Sequence, residues 1–576
     1  MYSNKESVNI LTALLVAHGV KHAVVCPGSR NAPIVHNLNE CADICCHPVT
    51  DERSAAFFAL GIAQATDEPV VVCVTSGTAL LNVAPAVAEA YYQHQSLIVI
   101  SADRPAEWIG QLDGQTMQQP GVLAPWVAKT VNIAPLGPPE GGMSDNAPFF
   151  SPGGPRGGWH CNRQVNEALL EATADHRPCV HINVPLQEPL FDFSVPQLPV
   201  ERVIRRYSPV ADYDCLPQPL VDDLLHAERP LIVFGQLSPR RFHYEGLDHL
   251  FSQVIVLHEA LAPFTSVSHF EEVLASPDLV PSSLLPDFIL HVGDAIVSKR
   301  LKHYLRQAAD ARCWRVSLTG QVEDTFQNLR GIVVGDAEAV LQSLSNRMAK
   351  MKSRHAASQR EYRRQWLHLL SRGGEQAEAF QPPYSQMAAV RLFEQQLQRV
   401  DYPFEVHYAN STAVRLANIY AQGHPVWCNR GVNGIEGSLS TAVGFAAAYR
   451  DSGAVFCVIG DLSFFYDQNA LWNQHLPANL RILLLNNGRG AIFDTLPGLS
   501  QSAARFTLVA GQHTTTAEGI CRQSHVDYQV VRDMDQLRQG LHWLLTAGSP
   551  RPLLLEVQTD ADTDSQVLAD YFQSLR

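Results

Sequence analysis

The sequence predicts an α/β protein made of three doubly wound parallel-sheet domains. Short apolar runs rich in Val, Ile and Leu alternate with helical stretches along the whole chain, and each run stops at turn residues, which is typical of strands buried in a parallel sheet. The length of 576 residues suits three or four domains. We place the domains at 1–200, 201–345 and 381–576, with a helical linker at 346–380 that crosses a solvated surface.

Strands and helices can be assigned in each of the first two domains. In the first domain we expect strands at 22–26, 70–74, 97–100 and 179–184, and helices at 8–18 and 79–92. Residues 137–158 are dense in Gly and Pro, which predicts a surface insertion or a mobile loop. In the second domain we expect strands at 231–234, 254–257, 288–292 and 314–317. The second domain lacks GxGxxG, which weighs against a dinucleotide site there.

The third domain contains the most informative stretch. One apolar run, 455–459, leads into Asp461, and a second run, 480–485, leads into Asn487, with a crossover helix expected at 466–475. The carboxyl ends of parallel strands share one rim, so Asp461 and Asn487 should lie side by side. A carboxylate and an amide oxygen beside Gly-rich backbone suit a Mg²⁺ ion that bridges a diphosphate. The alternative is a pair of ordinary strand-to-helix turns, where Asp and Asn are common.

Composition excludes several classes of protein. The formal charge of −14, without a long basic tract, disfavours nucleic-acid binding. The twelve cysteines show no CxxC pair and no Cys/His zinc spacing, which indicates a reducing compartment and no disulfide framework. The N-terminus is typical of an amphipathic helix rather than a signal peptide, and no apolar run reaches membrane-span length. We therefore expect a cytoplasmic protein. GxSxG, HExxH and Walker motifs are absent.

The Gly-Asp and Asn-Asn turns, with the crossover between them, resemble the signature of the thiamine diphosphate-dependent enzymes. Leu462 stands where most of that superfamily has Gly, and this variant is similar to one branch, the carboligases of menaquinone biosynthesis. The resemblance implies that the first domain binds the aminopyrimidine, that the third binds the diphosphate, and that the central domain is mainly structural. It also implies thiamine diphosphate with Mg²⁺ or Mn²⁺ as cofactors, and a homodimer or a dimer of dimers.

The resemblance further implies a transferase reaction on two small molecules. The enzyme would decarboxylate 2-oxoglutarate and add the succinyl-semialdehyde unit to isochorismate by 1,4-addition. Two alternatives stay open. One is another thiamine diphosphate-dependent decarboxylase or carboligase such as an acetolactate synthase-like enzyme, although these favour Gly-Asp-Gly and need a flavin site. The other is a cofactor-binding homologue without activity.

Two residues have both an ordinary interpretation and a functional one. Glu52 opens an apolar helix, where an acid is favoured by the helix dipole. The resemblance instead makes it the glutamate that hydrogen-bonds N1′ of the aminopyrimidine and promotes the imino form of the 4′-amino group. Ile435 lies in a Gly-rich loop and is either a hydrophobe that closes a core or the aliphatic wedge that bends the cofactor.

The remaining site residues are polar. A single arginine is typically a surface ion-pair partner, but planar bidentate donors suit the carboxylates of both substrates. The resemblance implies a set of substrate-contacting residues: Ser29, Arg30, Arg104, Gln115, Lys299, Arg300, Ser411, Arg415 and Arg430. Gly114 departs from the family, which often has Asn before this glutamine. The implied cofactor contacts are Glu52, Ile435, Asp461, Leu462, Ser463, Asn487, Arg489 and Gly490, and the implied metal ligands are Asp461, Asn487 and Arg489.

Overall fold

The computed structural model describes residues 1–133, 136, 155–207, 216–275, 282–351, 353–496 and 498–575. The chain forms two compact units. The first unit comprises Met1–Ser208, Gly431–Arg450 and Asp467–Pro477, and the second comprises Pro209–Arg430, Asp451–Tyr466 and Ala478–Arg576. Of the loop expected at 137–158, residues 137–154 lie outside the described residues, and the remainder belongs to a helix.

The strands and helices have the following bounds. The strands are β1 His22–Val25, β2 Cys45–Pro48, β3 Val70–Val74, β4 Leu97–Asp103, β5 Lys129–Asn132, β6 Val180–Pro185, β7 Pro230–Phe234, β8 Ile255–His258, β9 Phe288–Val292, β10 Arg312–Ser317, β11 Leu329–Val334, β12 Phe404–Tyr408, β13 Val426–Trp427, β14 Ala454–Gly460, β15 Leu480–Asn486, β16 Asp527–Val531 and β17 Leu553–Gln558. The helices are α1 Glu6–Ala17, α2 Ala32–Glu40, α3 Glu52–Thr66, α4 Thr78–Asn82, α5 Ala84–Tyr92, α6 Pro155–Ala172, α7 Gln218–Leu225, α8 Asp248–Gln253, α9 Phe270–Leu274, α10 Lys299–Gln307, α11 Ala337–Lys350, α12 Ala356–Ala379, α13 Gln386–Leu397, α14 Thr412–Tyr420, α15 Ser438–Ala448, α16 Asp461–Tyr466, α17 Glu518–Gln523, α18 Met534–Thr546 and α19 Ala561–Ser574.

The strands form three parallel sheets, which confirms the predicted fold class. The sheet of the first unit has the order β2-β1-β3-β4-β6-β5. The second unit has two sheets, of order β11-β10-β9-β7-β8 and β13-β12-β14-β15-β17-β16. Non-consecutive neighbours require crossover connections, as in doubly wound domains. The central strands β3 and β9 are buried along their whole length, as their apolar sequences predict.

The predicted helix at 79–92 is wrong in one respect, because it is two helices. The break falls at Val83, between α4 and α5. Pro85 explains it, since a proline has no N–H to donate to the preceding turn and its ring clashes with that turn's carbonyl.

In the first unit, α3 and α15 pack with their backbones in close approach. A Cβ added to Gly61 would lie 1.9 Å from the carbonyl oxygen of Thr441, and one added to Gly444 would lie 2.0 Å from that of Phe58. The absence of side chains at these two glycines therefore permits the crossing. The hydroxyl of Ser54 also lies 2.8 Å from that of Ser440.

The predicted crossover helix at 466–475 is also wrong. The helix after β14 is α16, which begins earlier, at Asp461, and the predicted stretch contains a short 3₁₀ turn at Gln468–Leu471. Asp467 is fully buried in the first unit, where its carboxylate accepts hydrogen bonds from the backbone N–H of Ser440 at 2.7 Å and from its hydroxyl at 2.8 Å. The stretch is thus fixed by buried polar contacts, which helical periodicity cannot reveal.

Most of the linker expected at 346–380 is helical, in the last turn of α11 and in α12, but α12 is more than a solvated connection. In α12 the Trp366 side chain is fully buried and packs with Tyr304 at a ring-centroid distance of 5.8 Å. The hydroxyl of Tyr362 donates to the carbonyl of Leu284 at 3.2 Å. One face of α12 therefore belongs to the core of the second unit.

Two further features concern the described residues alone. Every cysteine in the described ranges is free, as the sequence predicts. Within the same ranges, none of the helices combines the length and the hydropathy of a membrane-spanning segment.

Candidate active site

The site begins at the rim formed by β14 and β15. These strands pair in parallel, so the residues that follow them are neighbours. Asp461 Oδ2 accepts hydrogen bonds from the backbone N–H of Asn487 at 3.1 Å and of Gly488 at 2.8 Å. Asp461 Oδ1 accepts from the backbone N–H of Leu462 at 2.7 Å. The predicted juxtaposition of Asp461 and Asn487 is confirmed, and the carboxylate is held by three backbone donors.

The side chain of Asn487 is fixed in one orientation. Its Nδ2 donates to Asp564 Oδ2 at 2.9 Å, and its Oδ1 accepts from the backbone N–H of Arg489 at 3.4 Å. The second contact is long, so Oδ1 keeps capacity to bind another donor or a cation. Thr559 donates to the same Asp564 oxygen at 2.7 Å, which fixes that carboxylate in turn.

Arg489 can serve a metal ion only through its backbone, because a guanidinium has no acceptor atom. Its side chain is engaged elsewhere: it pairs with Asp494 at 2.9 Å and also with Asp562. The oxygen atoms at the rim that could bind a metal ion are therefore those of the Asp461 carboxylate, the Asn487 side-chain amide and the Arg489 backbone carbonyl. These are hard oxygen ligands, and they fit Mg²⁺ or Mn²⁺.

His513 is a neighbour of this rim that the sequence did not suggest. Its Nε2 lies 3.5 Å from Asp461 Oδ2 and is buried without a hydrogen-bond partner in the described part of the chain. It is 513 − 461 = 52 positions away from Asp461, within no motif. A buried polar atom without a partner at the edge of an oxygen-ligand set indicates a place where a polar ligand binds.

The other predicted cofactor contacts of the second unit lie on the same segments. Leu462 and Ser463 follow Asp461 in the first turn of α16, and Ser463 is buried. The backbone N–H of Gly490 donates to the carbonyl of Ala510 at 2.7 Å. Gly511 faces Leu462, since a Cβ added there would lie 3.5 Å from a Leu462 methyl carbon.

A cavity of about 400 Å³ in the second unit brings four of the predicted residues together. These are Lys299, Arg300, Arg415 and Asn487. Apolar side chains form much of the remaining wall: Val297, Met387, Leu416, Ile419, Ile492, Leu568 and Phe572. A concave site with an apolar wall and a few convergent cations is typical of a pocket for small organic anions.

The two arginines of this cavity differ in their partners. Arg300 donates to Glu271 at 2.8 Å, and its guanidinium carbon lies 4.1 Å from the ring centroid of Phe572. The Nε of Arg415 is buried without a hydrogen-bond partner among the described residues. Burial, and then the charge of Arg430, lower the pKa of Arg415. Arg415 is therefore a partly desolvated cation for which a carboxylate ligand would be a strong partner.

Ser411 directly precedes Thr412, which lines this cavity, and Arg430 is near enough to Arg415 for its charge to lower the pKa of Arg415. Ser411 precedes α14 with a backbone φ of 72°, a conformation that non-glycine residues adopt at a cost and that is enriched at functional sites. Arg430 donates to Asn410 Oδ1 at 3.0 Å. Both residues are therefore placed by the turn that joins β12 to α14.

Glu259 is a further residue that the sequence did not suggest. It is almost completely buried and accepts hydrogen bonds from the backbone N–H groups of Val297 and Ser298, both at 2.6 Å. Burial is the largest cause that raises its pKa to about 7. Glu259 thus holds the start of α10, the helix that presents Lys299 and Arg300.

In the first unit, Glu52 is the first residue of α3, as predicted. The cap of that helix is the preceding residue: Asp51 accepts from the backbone N–H of Arg53 at 2.9 Å and of Ser54 at 3.4 Å. Glu52 is half-buried and accepts from Asn82 Nδ2 at 3.4 Å. Because Asp51 caps the helix, the carboxylate of Glu52 is not required for that role.

Arg30 and Arg104, also in the first unit, converge on one carboxylate. Arg30 pairs with Glu188 at 3.2 Å and donates to the carbonyl of Leu186 at 2.9 Å. Arg104 lies 3.8 Å from Glu188 and 3.3 Å from Asp113. Burial, and then the charge of Arg104, lower the pKa of Arg30. The sequence did not reveal Glu188, which is 158 positions from Arg30.

The remaining predicted residues of the first unit lie on exposed loops. Ser29 and Gln115 are exposed, and Gln115 has a φ of 54°. Ile435 keeps 36% of its surface exposed, so it does not close a core within its unit. Its loop is held by Glu89, which accepts from the backbone N–H groups of Gly431 at 2.6 Å and Val432 at 2.7 Å.

Comparison with known proteins agrees with this geometry. Residues 6–122 match the family described as "Thiamine pyrophosphate enzyme, N-terminal TPP binding domain". The chain is 43% identical over 595 residues to 2-succinyl-5-enolpyruvyl-6-hydroxy-3-cyclohexene-1-carboxylate synthase of Bacteroides fragilis, with both chains fully covered. It is 40% identical over 589 residues to the Bacteroides thetaiotaomicron synthase, again with both chains fully covered. It is 38% identical to that of Phocaeicola vulgatus, over 100% of this chain and 99% of the relative. The chain therefore belongs to the 2-succinyl-5-enolpyruvyl-6-hydroxy-3-cyclohexene-1-carboxylate synthase family of thiamine diphosphate-dependent enzymes.

Proposed function

We propose that this enzyme decarboxylates 2-oxoglutarate and adds the succinyl-semialdehyde unit to isochorismate by 1,4-addition. The product would be 2-succinyl-5-enolpyruvyl-6-hydroxy-3-cyclohexene-1-carboxylate, an intermediate of menaquinone biosynthesis, and the reaction class that of a transferase. The observation that carries the proposal is the cavity in which Lys299, Arg300 and Arg415 face an apolar wall next to Asn487. A cytoplasmic location stays a prediction of the sequence.

Thiamine diphosphate would be held at the rim of the third sheet. Its diphosphate would bind through Mg²⁺ or Mn²⁺ to Asp461, to the amide oxygen of Asn487 and to the carbonyl oxygen of Arg489, with Leu462, Ser463 and Gly490 lining the same rim. When bound, this cofactor supplies the electron sink that makes loss of CO₂ from a 2-oxo acid possible. The three backbone donors on Asp461 keep its carboxylate in place before any cation arrives.

We assign Arg415 and Ser411 to the distal carboxylate of 2-oxoglutarate. Arg415 is a partly desolvated cation with an unpartnered Nε among the described residues, so a carboxylate there would gain a charge-assisted hydrogen bond. The apolar wall of Leu416, Ile419 and Phe572 would exclude water from the reacting carbon. Exclusion of water favours carbon–carbon bond formation over protonation of that carbon.

The other substrate-contacting residues are assigned to isochorismate. Arg30, Arg104 and Arg300 would donate the main hydrogen bonds to the carboxylates of isochorismate. Further contacts with this substrate would come from Ser29, Gln115, Lys299 and Arg430. Arg30 and Arg104 already share the carboxylate of Glu188, which supports an anion site at this point. A substrate carboxylate would compete with Glu188 for the same guanidinium groups, because both offer the same planar pair of oxygens.

Glu52 is assigned to proton exchange with N1′ of the aminopyrimidine, and Ile435 to contact with the bent cofactor. Asp51 caps α3, which leaves the Glu52 carboxylate for a ligand. The exposed side chain of Ile435 on a loop anchored by Glu89 is likewise suited to contact a ligand. The resemblance to the family further supports a homodimer or a dimer of dimers.

The test is an assay of the purified chain with thiamine diphosphate, Mg²⁺, 2-oxoglutarate and isochorismate. We expect isochorismate to disappear with release of one CO₂ per molecule consumed. Release of CO₂ from pyruvate but not from 2-oxoglutarate would favour an acetolactate synthase-like activity. Cofactor binding without CO₂ release from either acid would identify a homologue without activity. Heat-denatured protein is the control for spontaneous loss of isochorismate.

A further inference from the structure

A cluster of metal-ligating side chains lies in the first unit, apart from the residues assigned above. It consists of His22 on β1 and of Cys45 and His47 on β2. One ligand atom from each side chain lies within 4.8 Å of those of the other two. We propose that these three residues, here named the edge-strand triad, bind a borderline transition-metal cation of the Zn²⁺ class.

The strand pairing explains why the triad converges. β1 and β2 are parallel, with His22 opposite Cys45 and Val24 opposite His47. Side chains two residues apart along a strand project from the same face of the sheet, so Cys45 and His47 share a face and His22 joins them from the neighbouring strand. β2 is the terminal strand of its sheet. The triad is therefore built by the regular strand register of an edge and does not depend on a flexible loop.

The spacing of the donor atoms suits one ion. The distance from His22 Nδ1 to His47 Nε2 is 3.1 Å, and two nitrogens bound to one tetrahedral Zn²⁺ lie roughly 3.3 Å apart. Cys45 is exposed, so its side chain has room to adjust. Moving its sulfur by about 1 Å would bring it to bonding distance. A water molecule would complete a tetrahedral set, as at zinc sites with three protein ligands.

The protonation states are compatible with binding. Burial is the largest cause that lowers the pKa of both imidazoles, that of His47 to about 4, which favours the neutral rings that bind a metal. The charged groups that act on His22 are Glu68, Arg450 and Lys21. On binding, the ring that donates in the His22–His47 hydrogen bond changes tautomer, so that His22 carries its proton on Nε2 and His47 on Nδ1 and neither ring loses a proton. The Cys45 thiol gives its proton to solvent, so about one proton is released per ion.

The triad differs in chemistry from the rim at Asp461. Two imidazole nitrogens and one thiolate prefer Zn²⁺, Co²⁺ or Cu²⁺, whereas carboxylate, amide and carbonyl oxygens prefer Mg²⁺ or Mn²⁺. The sequence suggested no Cys/His zinc spacing because the ligands come from two strands, with His22 placed 45 − 22 = 23 positions before Cys45.

The test is a titration of the metal-free full-length chain with Co²⁺. We expect one equivalent to give a thiolate-to-cobalt charge-transfer band in the near ultraviolet and d–d bands in the visible. Zn²⁺ should displace the cobalt and remove both. Cys45→Ser should abolish the charge-transfer band, and His47→Gln should weaken Co²⁺ binding at least about tenfold.

Two control variants locate the signal. Cys46→Ser alters the neighbouring thiol on the opposite face of β2, and the band should survive. Asp461→Ala removes the carboxylate of the rim, and the band should again survive, which separates this proposal from the proposed function. The proposal is overturned if wild type gives no charge-transfer band, or if the band persists in Cys45→Ser. Far-ultraviolet circular dichroism of each variant shows whether it is folded.

Discussion

Asp461 and Glu52 are two carboxylates at comparable positions in the two units. Each is the first residue of a helix that follows a parallel strand. Asp461 is buried and accepts three backbone hydrogen bonds at 2.7, 2.8 and 3.1 Å. Glu52 is half-buried and accepts a long hydrogen bond, at 3.4 Å, from the side chain of Asn82, while Asp51 caps its helix.

The difference matches the two tasks we propose. A metal ligand must hold a fixed position, and backbone donors provide that without a side chain that could rotate away. A carboxylate that exchanges a proton with a ligand must keep its oxygens available. The neighbouring Asp51 makes this possible because it takes over the cap. The two helix N-termini thus look alike in sequence but differ in which carboxylate binds the backbone N–H groups. In α3 it is that of Asp51, the residue before Glu52, and in α16 it is that of Asp461 itself.

The largest effect should come from Asp461→Ala. We expect loss of tight thiamine diphosphate binding, since the cation would lose its protein carboxylate. Asn487→Ala should weaken binding less, because an amide carries no formal charge. Titration calorimetry with thiamine diphosphate and Mg²⁺ measures both. Unchanged affinity in Asp461→Ala would show that the rim of the third sheet is not the diphosphate site.

Glu52→Gln should separate binding of the cofactor from its activation by proton exchange. We expect the variant to bind thiamine diphosphate and to lose most turnover, because an amide cannot share a proton with N1′. Exchange of the C2 proton of the cofactor, followed by NMR, measures activation directly. Exchange as fast as in wild type would show that Glu52 is an ordinary helix-start acid. Asp51→Asn is a matched control, since asparagine also caps helices well.

The arginines should divide between the substrates. Arg415→Ala should mainly raise the KM for 2-oxoglutarate, and Arg30→Ala and Arg104→Ala that for isochorismate. Loss of a charge-assisted hydrogen bond costs about 1.5–3 kcal/mol, roughly 10- to 100-fold in KM or rate. Kinetics with both substrates varied measure the division. Equal increases in both KM values for all three variants would contradict it.

Complementation would sharpen the comparison at the level of the assembly. If each site takes Glu52 from one protomer and Asp461 from its partner, a mixture of Glu52→Gln and Asp461→Ala proteins should recover activity on subunit exchange. Half of the dimers would be mixed, each with one intact site, so roughly a quarter of wild-type activity should return. Native mass spectrometry confirms the mixed dimers. Their presence without activity would place each site within one chain.

The smallest effect concerns pH and Glu259. Its folded-state pKa is raised from 4.5 to about 7, so the folded chain binds this proton more tightly than the unfolded chain does. The resulting stabilisation is complete below about pH 4.5 and is lost as the pH rises through about 7. The thermal midpoint of wild type, measured relative to that of Glu259→Gln, should therefore be lower at pH 8 than at pH 5. A difference independent of pH would contradict this titration.

Buried strands such as β3 and β9 could be predicted because each is a continuous apolar run, and the apolar runs before Asp461 and Asn487 placed these two residues side by side. The strands β2, β5 and β16 were not predicted, because their sequences mix polar and apolar residues. The sequence-based predictions failed where contacts between residues distant in sequence determine the local structure or the site. The helix expected at 466–475 is replaced by a short turn, since Asp467 is buried against Ser440. The sequence did not reveal Glu259 and Glu188, because no motif spacing connects them with their partners. Glu259 lies 38 positions from Val297, and Glu188 lies 158 positions from Arg30.

The crossing of α3 and α15 has a mechanical consequence for Glu52. The distance between α3 and α15 is set by main-chain atoms at Gly61 and Gly444, where an added methyl group would fall within 2.0 Å of a carbonyl oxygen. Rotamer changes elsewhere in this crossing cannot alter that distance, whereas a single methyl at either glycine must move the whole helix. The carboxylate at its first residue would move with it, so the alignment of Glu52 depends on two positions that themselves have no side chain to contribute.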